Sequence, residues 1–319
     1  MLKQLQFVRG AVGKGKIDAG LSHFRIRDRR VTGFNGVLAI SSPIPVDLDC
    51  QPDAATLIKA VGNCKAAVEL SMTEGGKLRL RSGTFRVFIE SFNETLPEVQ
   101  PEGEMVEVNG QLIVEAMKKL VEFVGDDASR PWTNGILFRG KSAFATNNLI
   151  LAQVLVGGKD ESVFPEEANV PLLTVKELLR VGDPPTHVSM SPTSMTFHFT
   201  EDRWIRTQLY DTNWPDVEAM LPTGKTPMTT LPTGFWDAVE TCMPFKDKQS
   251  RVYLGADSVS TSLEDETGSH VRVPGVAEGV FNIDQLWALR EHIEKVDLNT
   301  NPAPFMGNKL RGVLVGMLR

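Results

Sequence analysis

The feature that most constrains this chain is a pattern that occurs three times along it. Ala54-Ala55-Thr56-Leu57-Ile58-Lys59-Ala60-Val61 leads into Ala67-Val68-Glu69-Leu70. Leu173-Thr174-Val175-Lys176-Glu177-Leu178-Leu179-Arg180 leads into His187-Val188-Ser189-Met190. Ile283-Asp284-Gln285-Leu286-Trp287-Ala288-Leu289-Arg290 leads into Lys295-Val296-Asp297-Leu298. Each copy opens with apolar residues at three- and four-residue spacing, which predicts a short helix, and continues with period-two alternation, which predicts a strand. Thr174 and Asp284 are candidate helix N-caps. From Val68 to Arg86, Val188 to Arg206 and Val296 to Leu314 the interval is 18 residues each time. One supersecondary unit is therefore used three times, and it has to be read before any single element.

A looser front half precedes each of these. Helical stretches at 3–12, 110–124 and 235–243 are followed by strands at 24–27 and 36–40, at 135–138 and 149–156, and at 252–254 and 258–263. The back halves add strands at 77–81 and 84–91, 194–200 and 204–210, and 311–318. Proline-containing segments at 93–101 and 211–222 separate the copies. The expected fold is α+β: three tandem domains of ordinary size, at 1–103, 104–222 (with its linker) and 223–319, each with two helices on curved antiparallel sheets.

Charge is uneven. The 319 residues carry a net charge of −6, which by itself argues against a binder of nucleic-acid backbones. The six helical stretches (3–16, 54–66, 109–122, 174–181, 234–248 and 284–295) nevertheless hold 14 Lys and Arg against 9 Asp and Glu. Lys3, Arg9, Lys14, Lys16, Lys59 and Lys65 stand in the first copy with no acid on either helix; Lys118, Lys119, Lys176, Arg180, Lys246, Lys248 and Arg290 continue the set. Lysine and arginine also simply solvate helices. Enrichment in an acidic chain favours a protein that holds DNA on one face. No recognition-helix motif or aromatic-rich basic stretch suggests base reading or stacking.

Catalytic signals are weak. Residues 135–142 satisfy the P-loop pattern GxxxxGK followed by Ser or Thr. The residues before Gly135 form a turn, Ile136-Leu137-Phe138 reads as a strand, and Ala143-Phe144-Ala145-Thr146 reads as its partner, so a hairpin turning at Arg139-Gly140-Lys141-Ser142 is expected. Nucleotide hydrolysis is the enzyme alternative. Cys50, Cys64 and Cys242 form no CxxC, and the five histidines show no metal-ligand spacing, so neither a metal nor a cofactor is expected. No segment has the ~18 apolar residues of a membrane span, and a reducing, cytoplasmic setting fits.

With the repeat in place, the residues resemble a known family, the bacterial β sliding clamp, the β subunit of DNA polymerase III. Trp214-Pro215-Asp216-Val217-Glu218-Ala219-Met220-Leu221-Pro222 resembles its FPDYRRVLP segment, with Leu96-Pro97 as the weaker equivalent. Thr146-Asn147-Asn148-Leu149-Ile150-Leu151-Ala152 resembles TDGHRLA, downstream of an Asn134-Gly135 strand start. Leu80-Arg81-Ser82-Gly83 with Arg86 resembles the hairpin closing the first domain, and Val315-Gly316-Met317-Leu318-Arg319 falls where the family ends in MPMRL. The family's opening strand precedes the residue matched by Met1.

The resemblance implies a non-enzymatic processivity factor. It would be a head-to-tail homodimer in which domain one meets domain three of the partner chain, and its ring would encircle double-stranded DNA without sequence specificity. A clamp loader would open it. Polymerase and loader peptides would bind a pocket formed by Thr133, Thr146, Asn148, Leu149, Ile150 and Leu151, by Pro215, Ala219 and Met220, and by Val313, Val315, Gly316, Met317, Leu318 and Arg319. The run 313–315 also reads as a core strand, and Trp214 as a packing anchor. The family's His-Arg pair is Leu149-Ile150 here, and a linker Arg is Ala219. A pocket with fewer positive charges prefers an apolar peptide, so the chain is expected to serve its own polymerase, such as a phage's. A phage structural or interaction protein of another kind is the non-enzymatic alternative.

Overall fold

Short polar residues mark where helices begin. The carboxylate of Asp53 accepts a hydrogen bond from the backbone N–H of Thr56 (2.8 Å) and satisfies one of the orphan donors of the helix that follows. Asn282 does the same for another helix, accepting from Asp284 and Gln285 (both 3.1 Å). The two caps expected from sequence are displaced: Asp284 and Thr174 lie inside the first turns of helices that begin earlier, and the buried Thr174 hydroxyl donates to that of Thr207 (2.6 Å).

The computed structural model describes residues 1–13, 19–94, 97–157, 163–211, 213–255, 257–264 and 266–318. Its helices are α1 (Leu2–Val8), α2 (Ala54–Gly62), α3 (Gly110–Leu120), α4 (Leu172–Val181), α5 (Phe235–Cys242) and α6 (Ile283–Ala288). The strands of the first copy are β1 (Arg25–Arg27), β2 (Arg30–Phe34), β3 (Leu38–Pro43), β4 (Glu69–Met72), β5 (Leu78–Ser82) and β6 (Phe85–Ile89). Next come β7 (Met105–Glu107), β8 (Gly135–Arg139), β9 (Ser142–Thr146), β10 (Ile150–Leu155), β11 (Ala168–Pro171), β12 (His187–Ser191), β13 (Ser194–Phe199) and β14 (Arg203–Gln208). The last are β15 (Arg251–Gly255), β16 (Ser258–Ser260), β17 (His270–Arg272), β18 (Gly279–Asn282), β19 (Lys295–Val296), β20 (Ala303–Gly307) and β21 (Leu310–Leu314).

The chain divides into two compact units, residues 1–114 with 173–209, and 115–172 with 210–319. Unit 1 contains the seven-stranded sheet β1-β2-β3-β14-β13-β12-β7 and the three-stranded sheet β4-β5-β6. Unit 2 contains the seven-stranded sheet β11-β8-β9-β10-β21-β20-β19 and the four-stranded sheet β17-β16-β15-β18. All the strand pairs are antiparallel.

The back-half meander recurs in all three copies, with the same span across it in the first two and one residue fewer in the third. Glu69 faces Arg81, which faces Arg86; Ser189 faces Thr196, which faces Arg206; Val296 faces Phe305, which faces Gly312. The helices are shorter than their apolar periodicity suggests. α6 stops at Ala288, and α1 gives way to a 3-10 turn at Arg9–Ala11. Lys65, Lys246, Lys248 and Arg290 therefore lie beyond helix ends. The last strand ends at Leu314 and not at 318, because Gly316 and Met317 donate outside any ladder, to Asn301 Oδ1 and the carbonyl of Val280.

Residues 135–142 are a β8–β9 hairpin in which Arg139 pairs with Ser142 across the two-residue turn Gly140-Lys141. Gly140 takes a left-handed φ of 55°, which a residue without a Cβ adopts freely. The turn leads into a strand where a P-loop requires a helix N-terminus to hold phosphate. The nucleotide-hydrolysis alternative finds no support in this geometry. Among the described residues no helix is long and apolar enough to cross a membrane.

Candidate functional site

In unit 2 the proline-containing segment, the loop before β10 and the chain's last residues converge. Leu137, Phe144, Leu151 and Val313 project from adjacent strands, and Trp214, Val217 and Leu221 pack on them. Trp132 flanks the cluster, its ring 5.1 Å from that of Trp214. Asn169 ties the base together: its Nδ2 donates to the carbonyls of Trp132 and Asp211, both at 2.9 Å. β21 lies close against β10 because Gly312 has no side chain; a Cβ there would meet the Leu151 carbonyl oxygen at 2.2 Å and the Phe305 ring at 2.3 Å.

The loop at 146–150 is held from within. The Thr146 hydroxyl donates to the Ile150 carbonyl (2.7 Å), and Asn147 Oδ1 accepts from the backbone of Leu149 (3.1 Å) and Ile150 (2.8 Å). Asn148 adopts a left-handed φ of 70°, which asparagine tolerates better than most residues. The exit of β21 continues past this loop, with Val315 donating to the Leu149 carbonyl (2.7 Å).

Thr133, Thr146, Ile150, Leu151 and Val313 are buried and form the support. Asn148, Pro215 and Ala219 are exposed, while Leu149, Val315, Gly316 and Met317 are half-buried. Met220 is 53% exposed and Leu318 91%, so the linker and the last residues each present one large apolar side chain to solvent. Arg319 lies outside the described residues. Trp214 is an internal anchor, 7% exposed. Sequence reasoning did not single out Arg130, whose exposed guanidinium donates to Asn148 Oδ1 (2.9 Å). Only its position beside Pro131-Trp132 could have marked it.

The basic residues fall into two groups. Lys3 and Arg9 are exposed opposite the buried Leu5, Phe7 and Val8, and Lys59 is exposed on α2, with Lys65 three residues past its end. Lys118, Lys176 and Lys248 are likewise exposed, and none of these seven forms an ion pair among the described residues. Four others are engaged internally. Lys119 donates to the Asn308 carbonyl, and Lys246 pairs with Asp284 (both 2.5 Å). Arg290 stacks on Trp287 at 4.3 Å. Arg180 pairs with Glu177 and donates to the carbonyls of Gln6 and Phe7 near the end of α1. Lys14 and Lys16 lie outside the described residues.

Repeated meanders, sheets that run on from one copy to the next, and a linker and C-terminus converging on one apolar patch define the fold of a DNA polymerase sliding clamp. Among solved structures, the chain matches the Caulobacter crescentus polymerase III β subunit at a TM-score of 0.83 with 18% identity. It matches the Bacillus subtilis DNA polymerase sliding clamp at 0.81 with 17% identity, and the Streptococcus pyogenes DNA polymerase β subunit at 0.79 with 18%. In each case 100% of this chain and 97% of the other are covered. No protein-family profile and no curated protein sequence matches the chain.

Proposed function

We propose that the chain is a sliding clamp: a non-catalytic processivity factor that encircles duplex DNA and tethers a DNA polymerase. The observation that carries this reading is a repeated strand junction. The third strand of a front half pairs with the last strand of a back-half meander twice within the chain, β3 with β14 and β10 with β21. The equivalent strands that remain are β17 and β6, each at the edge of its sheet. An unpaired edge is a template for another chain. β17 of one copy pairs with β6 of a second, and the reciprocal junction closes a head-to-tail dimer of three-domain chains, with boundaries at 103/104 and 222/223.

In this reading Lys3, Arg9, Lys59, Lys65, Lys118, Lys176 and Lys248 face the DNA phosphates. The apolar patch in unit 2, with Met220, Leu318 and Arg130 at its rim, takes the peptide of a polymerase or clamp loader, since exposed apolar residues beside a rigid pocket provide anchors for a short motif. The setting is the cytoplasm in which the polymerase works, a host's if the polymerase is a phage's. The test combines solution mass with topology. The clamp is a dimer that stays on nicked circular DNA and runs off the same DNA once linearised. A monomer, or equal retention on both forms, overturns the reading.

A further inference from the structure

The repeat produces the same sheet face twice, and the two faces are finished differently. In unit 2 a row of directly opposed residues runs Leu137, Phe144, Gln153, Arg311 across β8, β9, β10 and β21. The matching row in unit 1 runs Arg25, Thr32, Ser41, Trp204 across β1, β2, β3 and β14. The hairpins that generate the rows both close over two residues in the same register, Arg27 pairing with Arg30 and Arg139 with Ser142. In unit 2 the linker covers its end of the row with Trp214, Val217 and Leu221. In unit 1 the equivalent linker residues, 97–100, wall an open cavity of about 100 Å³ whose lining includes that row.

The cavity is built for a carboxylate. Arg25, Arg27 and Arg30 line it, and Phe34 and Leu21 add apolar wall. Arg25 holds Glu98 of the linker at 3.1 Å, Arg27 holds Asp49 at 2.6 Å, and Arg30 holds Asp202. The cations are the fixed partners: the side chains of Arg25 and Arg30 are 14% and 23% exposed, those of Glu98 and Asp202 57% and 79%. Pairs whose anion is this exposed contribute little, so another carboxylate replaces one at small cost.

We propose that this cavity is a second peptide-docking site, in which an acidic residue of an extended partner segment takes the place of Glu98 on Arg25. The guanidinium fork matches a carboxylate. The space admits one short side chain and not a folded element. Asp28, Asp49, Glu98 and Asp202 surround the cavity and oppose a polyanionic phosphate backbone, which favours a peptide over nucleic acid. The site does not require the chain to be a clamp, and its test does not involve DNA loading.

The probe is the linker's own sequence as a free peptide, Leu-Pro-Glu-Val-Gln-Pro, beside a twin with Gln for Glu, titrated into the full chain by calorimetry. The Glu peptide binds at least about tenfold tighter than its twin, the difference expected when a charge-assisted pair is removed. Glu98→Gln tightens the Glu peptide about tenfold, because the internal competitor is weakened. Arg25→Gln abolishes binding. The comparison of twins on the unaltered chain needs no variant to fold. Equal affinity for the twins, no effect of Glu98→Gln, no binding of either peptide at millimolar concentration, or displacement of the peptide by a short DNA duplex would each overturn the proposal.

Discussion

The indole of Trp214 stands edge-on to that of Trp132, with ring centroids 5.1 Å apart and planes inclined at 63°. This packing fixes the linker between the second and third repeats onto the sheet of unit 2, and it makes Trp214 part of the core. Trp214→Ala opens a cavity beneath the proposed peptide patch and costs about 3–5 kcal/mol. Urea denaturation followed by circular dichroism checks this. Trp214→Phe keeps a ring against Trp132 and costs less.

The rim behaves oppositely. Met220 and Leu318 are mostly exposed, so Met220→Glu and Leu318→Ser change stability by no more than about 0.5 kcal/mol. The same changes weaken a peptide from the cognate polymerase by about tenfold or more, read by fluorescence anisotropy. A consensus bacterial clamp-binding peptide binds the unaltered chain more weakly than micromolar, because Leu149, Ile150 and Ala219 offer it no positive charge; micromolar or tighter binding refutes that preference.

The proposed dimer junction rests on edge strands. Phe88 on β6 is 49% exposed, with Arg86 stacked on its ring. Phe88→Arg adds a like charge to an edge proposed to meet Arg272 on β17. Dimerisation weakens about a hundredfold or more, while the monomer keeps its circular dichroism spectrum. Light scattering over a dilution series reads the effect, and a dimer unchanged by dilution would place the junction elsewhere.

In the proposed clamp, the exposed lysines and Arg9 make DNA association depend on salt. Replacing Lys3, Arg9 and Lys59 together with Ala lowers the slope of log affinity against log salt by about 0.9 for each phosphate no longer neutralised. The weakening is uniform across DNA sequences. The Lys246→Ala variant, whose ammonium is already held by Asp284, moves the slope least.

Burial holds His198 and His292 below the ordinary histidine value of 6.5. Both are therefore easier to protonate in the unfolded chain. Their contribution to stability is complete above pH 6.5 and declines as pH falls below it. The melting temperature is lower at pH 5 than at pH 7, and His292→Gln, which removes the ring packed 5.5 Å from Phe123, flattens that part of the profile.

Much of the local structure was legible because local chemistry settles it. The β8–β9 turn followed from strand-like apolar runs on both sides of Arg139-Gly140-Lys141-Ser142. The three repeats, the helix positions and the α+β class were read from spacing alone, since periods of 3.6 and 2 residues are properties of a segment by itself.

Tertiary structure decided what those segments meet. No spacing showed that β3 would pair with β14, or β10 with β21, because such pairing depends on which edges the fold leaves beside each other. Nor did it separate the engaged Arg180 and Lys246 from the exposed Lys3 and Lys59, which look alike in a charge count. The two sheet faces make the same point: the repeat fixed their identical registers, but only packing decided that one row is covered by the Trp214 linker and the other left open over Arg25. A sequence specifies hydrogen-bonding habit and apolar pattern locally, whereas the occupant of a surface is set by distant residues competing for the same space.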